Sequence, residues 1–241
     1  MINMTETIDI TKKFTDFFYS ANNASTRKIL VVSKYTERTR VNICLLKFFL
    51  QEMKQRGIFI TIDRPHQYTA SLLALHGISQ EKLVYIDAIS RISGETESNV
   101  SNVRFINGPY ELNFLDDISS ISCATGTFST QILNLEDMDF VLIDDIAALA
   151  KYQEEVGVKK MIESYISSIE RVKKIMAPIV LDVNQNKFIY QVIAGKCDRI
   201  LFINLSKLVF KEIDRRDASA EDSLVARPLD LGSSNPISTG G

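Results

Sequence analysis

Acidic side chains follow two apolar runs of the sequence and could serve as acid, base or metal ligand. Asp144 closes the run FVLID, and Asp63 closes the run IFITID. A carboxylate at the end of a buried strand can hold Mg²⁺ through water, and a second carboxylate nearby can act as a general base. Either residue could instead cap the helix that follows, because short acidic side chains accept the first free N–H groups of helices. Both interpretations remain open at the level of the sequence.

The stretch SKYTERTR, residues 33–40, lies where a phosphate-binding loop would lie, between an apolar run and a helical pattern. Such a loop reads GxxxxGK[ST], because its glycines let backbone N–H groups surround a phosphate, its Lys neutralises the phosphate and its hydroxyl binds Mg²⁺. With Ser33 at the first glycine, Arg38, Thr39 and Arg40 take the positions of the second glycine, the Lys and the hydroxyl. Since every motif residue is replaced, we expect no ordinary phosphate cradle.

Positive charge nevertheless surrounds this segment. Lys34, Arg38 and Arg40 flank the start of the predicted helix, whose N-terminus also attracts anions, and arginine can grip a phosphate with two hydrogen bonds. Gln185 follows a later apolar run and could sense a γ-phosphate, or it could belong to a simple polar turn. The segment therefore predicts either a solvated polar loop or a degenerate nucleotide site formed by Ser33, Lys34, Arg38, Thr39, Arg40 and Gln185.

Six short apolar runs alternate with helical patterns and must position these residues. The runs are of the type found in strands buried on both faces, and they lie at 28–33, 58–63, 83–89, 140–144, 178–184 and 199–205. Helical patterns separate most of them, which predicts an α/β fold with a mostly parallel central sheet flanked by helices on both faces. Ligands bind such sheets at the carboxyl ends of the strands, so Asp63 and Asp144 should share one edge.

The remaining segments are less regular. Residues 1–26 predict a helical lead-in, 27–213 a single α/β domain, and 214–241 a disordered tail rich in Ser, Gly and Pro. Within the domain, residues 90–111 are polar and predict a long exposed loop. The segment 112–134 has Leu115, Ile118 and Ile121 at helical spacing and predicts mostly helix.

Composition and charge argue against several functions. The formal net charge of -2, with only Arg91 and Arg104 as basic residues in 90–111, lacks the basic stripe of a nucleic-acid-binding protein. No secretory signal and no run of roughly 18 apolar residues occurs, so we expect a cytoplasmic protein without membrane contact.

The cysteines, Cys44, Cys123 and Cys197, show no metal-ligand spacing and predict buried, reduced thiols. His66 and His76 predict surface or helix-end positions rather than metal ligands.

The order of these parts resembles the RecA-like ATPase core and, within it, the KaiC-like group of archaea and bacteria. The resemblance spans residues 27–205 and rests on GIFITIDRP, HGISQEKLVYIDAIS, MDFVLIDDIAALAKY and GKCDRILFI. It implies a P-loop NTPase fold, ATP as the ancestral ligand and a tendency to form hexameric rings. It also implies that Asp144 corresponds to the Walker B aspartate, which holds Mg²⁺ through water, and Asp63 to the first of the acidic residues that activate water.

Three functional hypotheses follow. With Thr39 where the resemblance requires Lys, the charge clamp on the transferred phosphoryl group is missing. The leading hypothesis is therefore a pseudo-ATPase that needs no cofactor and works through a protein partner or self-association, as a regulator in signal transduction or as a scaffold. The alternative is a sensor of ATP and Mg²⁺, or a weak ATPase, in which Arg38 or Arg40 replaces the Lys. A nucleic-acid accessory role is the third and is the one that charge disfavours.

Overall fold

Eight strands form the central sheet in the computed structural model of the 241-residue chain. The structure describes residues 4–20, 26–94, 102–111, 121–125, 129–133, 137–172 and 174–213. The strands of the sheet are β1 (Lys28–Val32), β2 (Gly57–Thr61), β3 (Leu83–Asp87), β4 (Val103–Phe105), β7 (Phe140–Ile143), β8 (Ala177–Leu181), β9 (Arg199–Asn204) and β10 (Val209–Ile213). Their order is β10-β9-β1-β8-β7-β2-β3-β4, and every neighbouring pair is parallel except β10 with β9. A separate antiparallel pair consists of β5 (Ile121–Thr125) and β6 (Ser129–Leu133).

Helices cover both faces of the sheet. They are α1 (Met4–Ser20), α2 (Arg38–Lys47), α3 (His66–Leu75), α4 (Ser90–Ser93), α5 (Glu155–Arg171) and α6 (Lys187–Ala194). Helices α1, α2 and α3 pack on one face, here called the α1 face, and helices α5 and α6 pack on the other, the α5 face. The expected α/β fold, with a mostly parallel sheet between two helical layers, is thereby confirmed.

The central strands are uninterrupted apolar runs because both of their faces are covered. In β1, Leu30 belongs to the core of the α5 face, whereas Ile29 and Val31 belong to the core of the α1 face. Successive side chains of a strand point to opposite faces, so a strand with helices on both sides needs apolar residues at every position. The six strands expected from the sequence are all present, with ends shifted by no more than three residues.

Two segments differ from the sequence-based expectation. Residues 90–111, expected to be one exposed loop, contain α4 and the short strand β4, which pairs with β3, and Ile106 is buried. The expectation of helix over 112–134 is wrong at 121–125 and 129–133, which form β5 and β6. Periodicity over a short apolar stretch does not separate helix from strand, and here the pairing of two segments decides. Residues 112–120 and 214–241 lie outside the described part of the chain.

Helix α1 is fastened to the sheet by aromatic side chains. Phe14 is fully buried, and its ring lies 6.4 Å from that of Phe48 and 5.3 Å from that of Phe210. Phe18 stacks on Phe48 with the ring centroids 5.0 Å apart. Phe48 lies in a π-helical turn, Phe48–Glu52, that continues α2 and buries both Phe48 and Phe49. The segment expected as a lead-in thus contributes to the core of the α1 face.

Two findings concern membrane-spanning helices and the state of the cysteines. Among the described helices, none is long and apolar enough to cross a membrane. Cys44 and Cys197 are buried, as expected, and are not joined in a disulfide bond, and burial raises the pKa of the Cys44 thiol to about 11. Cys123 lies in β5, where the surroundings of its side chain are not described.

Candidate functional site

The connections that follow neighbouring strands lead to opposite faces of the sheet, which creates a crevice at the carboxyl ends of these strands. Strand β1 continues into α2 on the α1 face, whereas its neighbour β8 continues into α6 on the α5 face. The same divergence separates β2, followed by α3, from β7, followed by α5. In parallel sheets, ligands bind outside the carboxyl ends of strands whose connections diverge in this way. The loops after β1, β2, β7 and β8 therefore form the candidate site.

Asp144, directly after β7, is enclosed by backbone N–H groups. Its carboxylate accepts hydrogen bonds from the N–H groups of Ile62 at 2.8 Å, Asp63 at 3.2 Å and Asp145 at 2.6 Å. Burial, together with the negative charge of Asp145, raises the pKa of Asp144 to about 7 although these N–H groups act in the opposite direction. The side chain thus joins the ends of β7 and β2. The cap of the following 3-10 helix, Ile146–Lys151, is not Asp144 but Asp145, which accepts the N–H of Ala147 at 3.0 Å.

Arg38, the first residue of α2, lies between two carboxylates. Its guanidinium group pairs with Asp145, and it donates a 2.9 Å hydrogen bond to Asp63. The Arg38 side chain is buried. Its positive charge is therefore compensated by these two carboxylates rather than by water. Burial raises the pKa of Asp145, and the positive charge of Arg38 opposes this rise. The sequence proposed Arg38 as a phosphate ligand, and the structure shows it as the centre of an internal ion-pair network.

Asp63 receives three cations. Lys151 donates to it at 2.5 Å and Arg38 at 2.9 Å, while the Arg64 Nε lies 3.8 Å away. Burial acts to raise the pKa of Asp63, but the hydrogen bond from Lys151 and the three positive charges outweigh burial and hold it below its ordinary value. The same hydrogen bond raises the pKa of Lys151. Asp63 is consequently an ionised partner of basic side chains, which weakens it as a base.

The backbone N–H groups of the loop after β1 bind acceptors within the protein. Those of Ser33 and Tyr35 donate to the Leu181 carbonyl at 3.0 Å and to the Asp182 carboxylate at 2.8 Å. The N–H groups of Glu37 and Arg38 donate to carbonyls of the loop itself, within the 3-10 turn Tyr35–Glu37. A phosphate cradle requires such N–H groups to converge on a ligand. Here two of these N–H groups bind the end of β8, and the other two close the 3-10 turn of the loop.

Glu37 ties the same loop to the end of β9. Its carboxylate accepts the N–H of Leu205 at 2.9 Å, and the N–H and hydroxyl of Ser206 at 3.0 Å and 2.6 Å. Burial acts to raise the pKa of Glu37, but these bonds and the nearby Lys34 hold it below its ordinary value. Glu37 thus connects the loop after β1 to the end of β9.

A small cleft opens beside this network. It is bounded by Arg38, Thr39, Asn42, Ile43, Asp63, Arg64, Tyr68, Thr69 and Asp144. The amide nitrogen of Asn42 donates to the Asp144 carbonyl at 2.8 Å. The enclosed part of the cleft has room for about one water molecule, and the rest of the cleft is open to solvent.

The structure brings some of the expected site residues together and separates others. Arg38, Asp63 and Asp144 meet around the cleft, which Thr39 also lines. Lys34 and Gln185 are exposed on the loops after β1 and β8, and Arg40 is partly buried one turn into α2. Ser33 is buried at the end of β1.

Four further residues of the site were not identified from the sequence. They are Glu37, Asp145, Lys151 and Asp182. Asp145 could have been noticed as the second acid of the pair after β7, and Asp182 as another acid at a strand end. Lys151 carries no such signal, because its contact with Asp63 depends on how the 3-10 helix after β7 folds back.

A second buried polar cluster lies beside the site, at the end of β3. Asp87 accepts hydrogen bonds from the ring Nδ1 of His66 at 2.6 Å and from the Ser90 hydroxyl at 2.7 Å. It also accepts the N–H groups of His66, Ile89 and Ser90 at 2.8, 2.9 and 2.8 Å. His66 lies at the start of α3, in agreement with the expected helix-end position, and it is buried rather than at the surface because Asp87 compensates its polar ring.

No group of three or more His, Cys, Asp or Glu side chains within the described ranges is arranged to hold a metal ion. Near Asp144 the positive charge is supplied by Arg38 instead, through its pair with Asp145. The surroundings of Asp144 therefore differ from an open, oxygen-rich metal site.

Comparisons with known proteins give similarities to solved structures. No protein-family model matches the chain, and a search of curated proteins finds no match. Among solved structures, a KaiC-like protein from the hyperthermophilic archaeon Pyrococcus horikoshii OT3 is similar at 13% sequence identity and a TM-score of 0.45. The aligned region covers 72% of this chain and 70% of that protein.

Proposed function

We propose that this protein is a non-catalytic, RecA-like regulator or scaffold that acts through contacts with other protein chains. The observation that carries the proposal is the ion-pair network of Arg38 with Asp63 and Asp145. The network uses the positive charge of Arg38, which lines the cleft at the start of α2. The position of the site at a divergent sheet edge supports descent from a ligand-binding ancestor.

The backbone of the β1 loop supports the same proposal. A triphosphate is held chiefly by N–H groups that converge on it, and in this loop the N–H groups of Ser33, Tyr35, Glu37 and Arg38 bind protein acceptors. Breaking these bonds to free the N–H groups would remove the Tyr35 N–H from the Asp182 carboxylate, which would keep the N–H of Asn184. Nucleotide binding would therefore have to offset the cost of remodelling the loop.

Mg-ATP does not fit the residues present. The enclosed part of the cleft holds about one water molecule, and the Asp144 carboxylate already accepts three backbone N–H groups. Of the two arginines that line the cleft, Arg38 is neutralised by two carboxylates, and Arg64 lies 3.8 Å from Asp63. We assign no catalytic step to any residue of this site.

Calorimetric titration tests this proposal directly. Mg-ATP and Mg-ADP titrated into the purified chain should give no saturable heat at millimolar nucleotide, and phosphate release should equal that of buffer. An ATPase of known activity, assayed in parallel, verifies the reagents. ATP turnover by the wild-type chain that disappears in Asp144→Ala would overturn the proposal.

The sensor hypothesis makes the opposite prediction in the same experiment. It requires Arg38 to leave Asp63 and Asp145, or Arg40 to turn toward the cleft, when ATP binds. Saturable binding that is lost in Arg40→Ala, with circular dichroism unchanged, would support a nucleotide sensor. The exposed substitution Lys160→Ala, on α5 and outside the site, serves as the control for a general loss of positive charge.

A further inference from the structure

The outer rim of the site presents cationic and aromatic side chains above buried carboxylates. The rim cluster consists of Tyr35, Arg64, Tyr68 and Lys151. The tyrosines are 39% and 41% exposed, and the Arg64 and Lys151 side chains 42% and 58%. The Asp63 side chain beneath them is 9% exposed. Solvent therefore meets positive charge and aromatic surface, while the balancing negative charge lies inside.

Contacts through Asp63 and Arg38 make the rim cluster one continuous surface. Arg64 and Lys151 both reach Asp63, at 3.8 Å and 2.5 Å. The Arg64 guanidinium lies 4.6 Å from the ring centre of Tyr68, and that of Arg38 lies 4.6 Å from the ring centre of Tyr35. Stacking holds these side chains in place before any partner arrives. Pre-ordered Tyr and Arg side chains of this kind dominate the energetics of protein interfaces.

Positive charge at the rim exceeds the negative charge available to it. Among the described residues, two carboxylates, Asp63 and Asp145, compensate the three cations Arg38, Arg64 and Lys151. The 3.8 Å separation between Arg64 and Asp63 is about 1 Å longer than a charge-assisted hydrogen bond. Arg64 can therefore accept a better placed carboxylate from outside without breaking the internal network.

An apolar stripe on α3 continues the surface. Tyr68, Leu72 and Leu75 are spaced by four and three residues, which places them on one side of the helix. Leu75 is 79% exposed and Leu72 is half-buried. The stripe extends about 10 Å from the rim cluster along the helix axis. A ligand that uses both parts must combine negative charge with apolar side chains.

We propose that the rim cluster and the α3 stripe bind an acidic, amphipathic segment of a partner protein. The inference rests on the proposed function and specifies the contact surface. A carboxylate of the partner pairs with Arg64 and Lys151, while its apolar side chains cover Tyr68 and Leu75. Negative charge and apolar surface in one ligand distinguish such a segment from a nucleic acid, which would contact the cations without using the Leu75 end.

Selection of peptides on the purified chain tests the proposal. A phage-displayed random peptide library is selected on the wild-type protein, and the enriched peptides are synthesised with a fluorophore and measured by anisotropy. Enriched sequences should combine Asp or Glu with apolar residues. Arg64→Glu and Leu75→Glu should each weaken their binding by about tenfold or more.

Matched variants on α5 provide the controls. Lys160→Glu makes the same change of net charge as Arg64→Glu, and Val156→Glu places a charge on another exposed apolar position. Both should bind the peptides as the wild type does. Circular dichroism of all four variants confirms folding.

The outcomes separate this proposal from the proposed function. Failure to enrich peptides, or enriched peptides without acidic residues, overturns the surface assignment. Peptides that bind Arg64→Glu as well as the wild type overturn it too, while leaving a role in protein contacts intact. Displacement of the peptides by Mg-ATP would show that the rim binds phosphate and would contradict both.

Discussion

At the scale of single residues, Arg38 connects two of the strand ends that form the candidate site. Its guanidinium group joins Asp63 at the end of β2 to Asp145 after β7, and all three side chains are largely removed from water. A buried ion pair adds little net stability compared with apolar residues, but removing one partner leaves charges without compensation. Arg38 therefore has a structural role that its position in the sequence, at the start of a helix after a polar loop, does not reveal.

Arg38→Ala should lower the free energy of unfolding by about 3–5 kcal/mol, because two buried carboxylates lose their common partner. Urea denaturation followed by circular dichroism measures the effect. Lys34→Ala, an exposed substitution of the same kind in the preceding loop, should change the value by no more than about 0.5 kcal/mol. If Arg38→Ala is as stable as Lys34→Ala, the network is not a source of stability.

At the scale of elements, buried carboxylates connect strand ends to the helices beside them. Asp87 at the end of β3 accepts five hydrogen bonds, from the start of α3 and the start of α4. At the amino ends of the parallel strands, Asp198 accepts the N–H groups of Arg27 and Lys28 and so holds the start of β1. Polar residues at strand ends can thus be structural wherever several N–H groups need an acceptor.

The stability contributed by Asp87 should depend on pH. Burial acts to raise its pKa, but the bonds from His66 and Ser90 lower it from 3.8 to about 2. Because the folded-state value is depressed, this contribution is complete above about pH 4 and is lost as pH falls through about 2. The loss amounts to roughly 2 kcal/mol.

Urea denaturation between pH 5 and pH 2, compared for the wild type and Asp87→Asn, measures this contribution. The variant should be less stable at pH 5, and its difference from the wild type should shrink toward pH 2. Asp16→Asn, on the exposed side of α1, should follow the wild type throughout. A difference that stays constant over this range would contradict the assignment.

At the scale of the whole molecule, the two faces share one set of strands. Neighbouring residues of β1 contribute to both cores: Leu30 to that of the α5 face and Val31 to that of the α1 face. Helix α1 extends the second core through Phe14 and Phe18, although it precedes the sheet in the chain. We therefore expect α1 to unfold together with the sheet rather than before it.

Phe14→Ala tests this cooperativity. Loss of the buried ring should cost about 3–5 kcal/mol, and hydrogen exchange should accelerate by a similar factor in α1 and in α5 on the opposite face. Lys12→Ala, exposed on the same helix, should leave both rates unchanged. Faster exchange confined to α1 would show that this helix opens independently.

The sequence by itself was sufficient for the fold class and for the six main strands. These features are local: an apolar run of five or six residues between helical patterns indicates a buried parallel strand wherever it lies in the sheet. The same reasoning places Asp63 and Asp144 at one edge, because the carboxyl ends of parallel strands share it.

Only the tertiary structure decided what those residues contact. Arg38 meets Asp145 across 107 positions of the chain and Asp63 across 25, so its role depends on strand order and register, which no local pattern contains. The hairpin of β5 and β6 and the edge strand β4 escaped prediction for the same reason, since each is defined by its pairing. Local patterns specify which helices and strands form. The contacts of their charged side chains depend on distant elements, because a buried charge needs a partner of opposite charge.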